Sequence, residues 1–310
     1  MVDHRGRNRL EDRYRGVLLG LACGDALGGP VEFKSRAEVA ELHPGGLRDF
    51  VGGGWLSLAP GEITDDTQMT LAIARSLAET GTLDMNDIAT RFIEWARSDP
   101  KDIGLTTRAA LNALGSGVPW DEAGRRVSGF ASGNAAGNGA VMRCAPVALR
   151  YRRDPDALIA ASKSIALITH ADPRCQAAAV AVNLMIRHLL EGGATGDLPG
   201  SVLQSIDEPE TREALRRAPD LRREQVRSGG FVLDTMQAAL WSLLQTDSLE
   251  EAVITAVNLG ADTDTTGAVT GALAGAAYGA SAIPSRWSDQ VQHREELSGL
   301  AERLLELAEG

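Results

Sequence analysis

Two short stretches concentrate the oxygen ligands of this chain. Residues 64–67 read Thr-Asp-Asp-Thr, and residues 262–265 read Asp-Thr-Asp-Thr. Each opens a run with helical periodicity, so acids and hydroxyls gather in a first helical turn. One role for them is capping. Asp65 stands three residues before Gln68, the capping-box spacing, and first-turn acids suit the helix dipole. Capping uses one acid per helix start, however, and each stretch has two. An EF-hand loop starting at Asp262 would have its Gly at Gly267, but its twelfth position is Leu273 where a bidentate Glu belongs. If the two stretches meet, Asp65, Asp66, Asp262 and Asp264 bring four carboxylates together, and these repel unless cations lie between them. Hard oxygen ligands without Cys or an obvious His suit Mg²⁺, Mn²⁺ or Ca²⁺ rather than Zn²⁺. Four acids and two threonine hydroxyls suffice for two ions, and such a pair can bind vicinal hydroxyls, activate a bridging water and stabilise developing charge.

Three further places could take part. In GNAAGNGAVMR (133–143), a G-x-G begins at Gly137, but the last position of GxGxxG is Met142 and no strand precedes it, which argues against a dinucleotide fold. The stretch is either a Gly/Asn loop entering a helix, or a turn whose backbone N–H groups, with Arg143, cradle phosphates. His170, in THADPRC, is either a structural histidine or a donor to a phosphate or ribose. Glu32, after a glycine-rich run, is an exposed loop acid unless a site lies beside it. Walker A, GxSxG and HExxH patterns do not occur.

The elements that must position these residues are helices. Leu10, Tyr14, Val17, Leu18 and Leu21 follow helical spacing, as do runs at 69–77, 157–167, 177–190, 233–244, 249–257 and 297–307. Strand signals are scarce, aromatics make up only 4% of the chain, and Ala and Gly are plentiful, so the expected fold is all-α. Glycine recurs every fourth residue at Gly16, Gly20, Gly24 and Gly28, and again at Gly267, Gly271, Gly275 and Gly279. Each mid-helix glycine costs about 1 kcal/mol against alanine, so such stripes make sense on central helices packed at short range, against each other. Residues 191–200 read as a loop, and the charged segment 207–230 as a helical excursion or a mobile insert. Neither separates two cores, so one domain over residues 1–310 is expected.

The net charge of −11 disfavours binding to nucleic acid. Cys23, Cys144 and Cys175 are odd in number and far apart, which fits a reducing cytoplasm rather than a disulfide framework. The N-terminus has no apolar signal core, and the least charged run, 265–285, is rich in Gly, Ala and Thr, so it reads as a buried helix and no membrane partner is expected.

Together, GDALGGPVEF, ITDDTQMT, GNGAVMR, THADP and NLGADTDTTGAVTGALAGAAYG resemble the ADP-ribosylglycohydrolase family, which includes dinitrogenase-reductase-activating glycohydrolase and the ADP-ribosyl-acceptor hydrolases. They run from residue 24 to 279, in order. The resemblance implies a compact orthogonal bundle of helices with two divalent cations, Mg²⁺ or Mn²⁺. By matching positions it assigns Thr64, Asp65 and Asp66 to metal from one side and Asp262, Asp264 and Thr265 from the other. Glu32 matches the glutamate near the scissile bond. Gly137, Asn138, Gly139 and Met142 match the loop around the diphosphate and distal ribose, and His170 the histidine near the ligand. Some relatives carry an aromatic just before GNG where this chain has Ala136, and Phe130 is the nearest substitute for stacking adenine. The expected partner is an ADP-ribosylated protein or an ADP-ribose-containing small molecule, and the expected state is a monomer. In the expected reaction a metal-bound water, assisted by Glu32 or by a site aspartate such as Asp65 or Asp264, attacks the anomeric carbon. The branch resembled most closely acts on arginine linkages. The runner-up is an O-linked form, ADP-ribosyl-serine or O-acetyl-ADP-ribose. The rival class is a non-catalytic ADP-ribose-binding or crystallin-like protein.

Overall fold

Two glycine stripes meet at the centre of the molecule and fix the rest of the architecture around them. The computed structural model describes residues 4–130 and 136–310. The first helix, His4–Gly28, lies antiparallel to the helix Thr263–Tyr278. A Cβ placed on Gly20 would fall 2.3 Å from the Gly271 carbonyl oxygen, and one on Gly24 would fall 2.0 Å from that of Gly267. From the other side, a Cβ on Gly275 would fall 1.9 Å from the Gly16 carbonyl oxygen. Backbone therefore packs on backbone, which only glycine permits. The last position of each stripe departs from the expected pattern. Gly279 ends its helix with φ +86°, and Gly28 faces Thr263, whose hydroxyl donates to the Gly28 carbonyl at 2.8 Å. This register sets the end of the first helix, with Glu32 just beyond it, beside the start of Thr263–Tyr278, where Asp262 and Asp264 lie.

The fold is all-α. Among the described residues there is no strand, only the isolated bridges Gly53–Leu58 and Gly137–Phe231. One cluster of buried apolar side chains runs through the chain from Tyr14 to Leu305, and Val226, Ala238, Trp241 and Leu259 form a small satellite. The periodic runs appear as Asp65–Thr80, Pro155–Leu167, Pro173–Leu190, Val232–Leu244, Leu249–Val257 and Arg294–Glu309. Met85–Arg97, Leu105–Gly115 and Trp120–Phe130 are also helical. The expected loop at 191–200 gives way to a short helix, Leu198–Val202, and the charged segment after it is seated on the core: Pro209–Arg217 buries Thr211 and Leu215. No single described helix is long and apolar enough to cross a membrane. The low-charge run is a core helix, buried from Thr263 to Ala276.

Candidate active site

The helix Asp65–Thr80 is capped from outside itself. Asp25, fully buried in the first helix, accepts from the backbone N–H groups of Thr64 and Thr67 at 3.1 Å, and from their hydroxyls at 2.8 and 2.5 Å. Thr64 is the N-cap residue yet makes no side-chain cap bond, and Gln68 accepts from the Trp95 indole instead of closing a capping box. Asp262, the N-cap of Thr263–Tyr278, makes no side-chain cap bond either. Asp65 and Asp66 are thus released from capping, whereas in the second stretch Asp264 Oδ1 accepts from the first-turn Thr265 N–H at 2.9 Å. Burial holds the Asp25 carboxyl up at about 6, against the four hydrogen bonds that favour its charge.

The four acids line one cavity of about 190 Å³. Asp65 and Asp66 come from one helix start, Asp262 and Asp264 from the other, and Glu32 from the turn after the first helix. Asp102, which sequence reasoning missed, joins them, and oxygens of Glu32, Asp102 and Asp264 lie within 4.8 Å of one another. Burial, and then mutual repulsion, push Asp65, Asp66 and Asp264 well above the ordinary carboxylate range. Burial raises Glu32 to about 8. The Trp55 indole N–H, 2.7 Å from Oε2, opposes this, while Asp262 and Asp102 add to it. The Thr265 hydroxyl lies 3.4 Å from Asp66 Oδ2, and Asn138 Nδ2 donates to Asp262 Oδ2 at 3.0 Å. Thr64 is buried behind the cavity wall, its hydroxyl held by Asp25.

Two atoms show what this arrangement lacks. Asp66 Oδ1 and Asp262 Oδ1 are buried without any hydrogen-bond partner. An unpaired buried carboxylate oxygen is costly, and a cation is the partner that satisfies several at once. The donor set is hard oxygen throughout, so the acidic cluster fits a hard divalent cation.

The GNG turn and His170 complete the lining. Gly137, Asn138, Gly139 and Met142 all line the cavity. A Cβ on Gly139 would lie 2.7 Å from the His170 ring and 3.3 Å from the Thr107 hydroxyl, so this wall has room only for glycine. His170 is buried, and its Nδ1 is engaged by Thr169. Arg143 can only donate, and it gives an N–H to Thr169 Oγ1 at 2.5 Å. The Thr169 hydroxyl is paired with His170 Nδ1 at 2.7 Å, and where it donates there the ring keeps its own proton on Nε2. Burial, and then the Arg143 charge, hold this imidazole down at about 3, so it is neutral. Arg143 itself does not reach the cavity. It is fully buried beneath the Phe92 ring at 5.2 Å, where its charge balances Asp65 and Asp66 from behind, so the phosphate role open to it from sequence is not supported. The side chain of Phe130, the candidate for stacking adenine, lies outside the described residues.

Sequence reasoning also passed over Asp25 and Trp55. A lone acid inside the apolar run GLACGDALGG was the available signal for Asp25. Trp55 sits in VGGGWLSL, where nothing local points to Glu32.

Comparison with known proteins agrees with this geometry. The family model for ADP-ribosylglycohydrolase matches residues 6–310. The chain is 39% identical over 289 residues to ADP-ribosyl-[dinitrogen reductase] glycohydrolase of Rhodospirillum rubrum, covering 93% of this chain and 92% of that one. It is 36% identical over 313 residues to ADP-ribosylarginine hydrolase Tri1 of Serratia proteamaculans (strain 568), covering 96% and 80%. A solved structure described as an ADP-ribosylglycohydrolase-related protein complex superposes with a TM-score of 0.83 at 36% identity, over 97% of this chain and 99% of that one.

Proposed function

The chain belongs to the ADP-ribosylglycohydrolase family, and we propose that it is a metal-dependent hydrolase that removes ADP-ribose from arginine side chains of proteins. The observation that carries the metal-dependent reading is the pair of buried, unpartnered oxygens on Asp66 and Asp262, set among the acids of one cavity. The arginine linkage is supported by the relative named as an ADP-ribosylarginine hydrolase. The three cysteines, all buried, suit a reducing cytoplasm.

Asp65, Asp66, Asp262, Asp264 and Thr265, which line the cavity, would hold two divalent cations, Mg²⁺ or Mn²⁺, while Thr64, held by Asp25, stands behind them. When bound, such ions polarise ribose hydroxyls and water and offset negative charge. The protein's own groups do the rest. Glu32 has Oε2 engaged by Trp55, so Oε1 is the atom free to exchange a proton. In its ionised form it takes the proton of the attacking water as the bond from the anomeric carbon to the acceptor nitrogen breaks, and passes that proton on to the departing guanidine. His170 Nε2–H donates to a ribose or phosphate oxygen, and the tight Gly137–Gly139 turn lets the diphosphate approach the backbone. Asp102 completes the wall on the Glu32 side.

The test is release of free ADP-ribose from arginine- and serine-ADP-ribosylated proteins, with Mg²⁺ or Mn²⁺ and with EDTA. Metal-dependent release from the arginine substrate is expected. Equal release in EDTA sinks the metal assignment, and release from serine alone moves the linkage to the O-glycosidic class.

A further inference from the structure

Exposed large apolar side chains are few among the described residues, and three of them gather at the mouth of the acidic cavity. Phe33 is 68% exposed, Trp55 53% and Leu105 86%. Phe33 and Leu105 line the cavity, and Trp55 reaches it through its hydrogen bond to Glu32. The Phe33 and Trp55 rings pair with centroids 5.5 Å apart.

Neither ring is there by slack in the chain. Phe33 has φ +65°, a left-handed conformation that a bulky aromatic rarely adopts. It is held there by backbone bonds to the segment entering the second acid cluster: Phe33 N–H donates to the Ala261 carbonyl at 2.7 Å, and Ala261 N–H to the Lys34 carbonyl at 2.6 Å. Trp55 rides on a tight glycine turn. Gly52, Gly53 and Gly54 all have positive φ, Gly53 and Leu58 exchange backbone bonds at 2.7 and 2.8 Å, and a Cβ on Gly54 would meet Pro30 backbone at 2.8 Å. Strain kept at a site mouth, on a largely exposed aromatic side chain, points to a ligand.

We propose that Phe33 and Trp55 form the acceptor subsite, an aromatic platform that receives the planar, positively charged guanidinium of an arginine-linked substrate. The proposal rests on the reading of the chain as an ADP-ribosyl hydrolase. The pair sits on the Glu32 side of the cavity, beside the group that would act where the acceptor leaves. No Lys or Arg lines the cavity among the described residues, while Glu32 and Asp102 stand next to the platform, so a cation is favoured there electrostatically. A guanidinium stacks on an aromatic face and keeps its in-plane N–H groups for those carboxylates. A serine hydroxyl or an acetyl ester has no cation to place on the rings.

The test uses Phe33→Ala, with Phe33→Tyr as the variant that keeps a ring. Trp55 is left in place because it also holds Glu32. Three readouts are needed: kcat and KM on an arginine-ADP-ribosylated protein, the same on a serine-ADP-ribosylated protein, and the affinity for free ADP-ribose by calorimetry. For Phe33→Ala, kcat/KM on the arginine substrate is expected to fall about tenfold, mainly through KM, and to be restored in Phe33→Tyr. Affinity for free ADP-ribose, which lacks an acceptor, should change less than about twofold, and this also shows that the variant folds. If ADP-ribose itself binds weakly to Phe33→Ala, the rings stack the nucleotide and the proposal is overturned. Unchanged kinetics on arginine also overturn it while leaving the hydrolase reading intact. Wild-type protein that releases ADP-ribose from serine but not from arginine overturns the platform and the arginine linkage together. Wild-type protein that releases it from neither overturns both the hydrolase reading and the platform.

Discussion

Asp25 and Thr67 lie 42 positions apart, yet the Thr67 backbone N–H and hydroxyl both end on Asp25 Oδ2, at 3.1 and 2.5 Å. A carboxylate from one helix thereby closes the start of another, and the acids of that second helix face the cavity. Replacing Asp25 with Ala leaves the Thr64 and Thr67 donors buried without an acceptor. The expected loss is about 2–4 kcal/mol in urea denaturation, with activity falling as well because Asp65 and Asp66 lose their anchor. A variant with unchanged stability would show that the cap is dispensable.

Asp65→Ala and Asp264→Ala separate function from folding. Both residues are acids pushed up by burial and then by neighbouring acids. Removing one should cut turnover by about a thousandfold or more while leaving the melting temperature of the ion-free protein equal or higher, since a repulsive charge is lost. Full activity in either variant means the cations are held elsewhere.

Divalent cation should stabilise the protein, and EDTA should reverse the gain. At a free ion concentration one hundred times the dissociation constant the gain is about 2.7 kcal/mol for one site. Because burial and repulsion hold Asp65, Asp66 and Asp264 well above the usual carboxylate range, protons compete with the ion. The shift in melting temperature should therefore be larger at about pH 8 than at about pH 5. A shift independent of pH argues against ions on these carboxylates.

His170 gives the acid limb a sign. Its folded value, about 3, lies below its ordinary 6.5, so the unfolded chain takes up a proton first as pH falls. Stability from this group is full above about pH 6.5 and is lost toward pH 3, with a slope of up to about 1.4 kcal/mol per pH unit. His170→Gln should flatten that limb. A ring signal in NMR that titrates near 6.5 in the folded protein would contradict this burial.

The glycine seam gives a packing test with its own control. Gly20→Ala puts a methyl 2.3 Å from the Gly271 carbonyl oxygen, and two central helices must separate to admit it. A loss of about 3 kcal/mol or more, or failure to fold, is expected. Gly115→Ala, with nothing within 4 Å of its Cβ, should be neutral or slightly stabilising. Similar effects at both sites would mean that the close approach is not what the stripe is for.

Much of this molecule can be read without coordinates because its signals are local. Helical spacing marks the faces that bury, and four-residue glycine spacing marks two helices that approach backbone to backbone. Gly20 against Gly271 is that expectation realised. Paired acids at two helix starts exceed what capping needs, and the same residues carry the family resemblance. Other features depend on partners far along the chain, where periodicity is silent, since it reports which face is buried and never what that face meets. The capping of Asp65–Thr80 by Asp25, the place of Asp102 beside Glu32, and the Trp55 indole on the Glu32 carboxylate are of this kind. So is the burial of Arg143 behind the site instead of within it. Each pairs a charge or a donor with a group brought close only by the antiparallel seam and the turns it anchors. Only the packed chain can say which buried acid caps a helix and which is left for a cation.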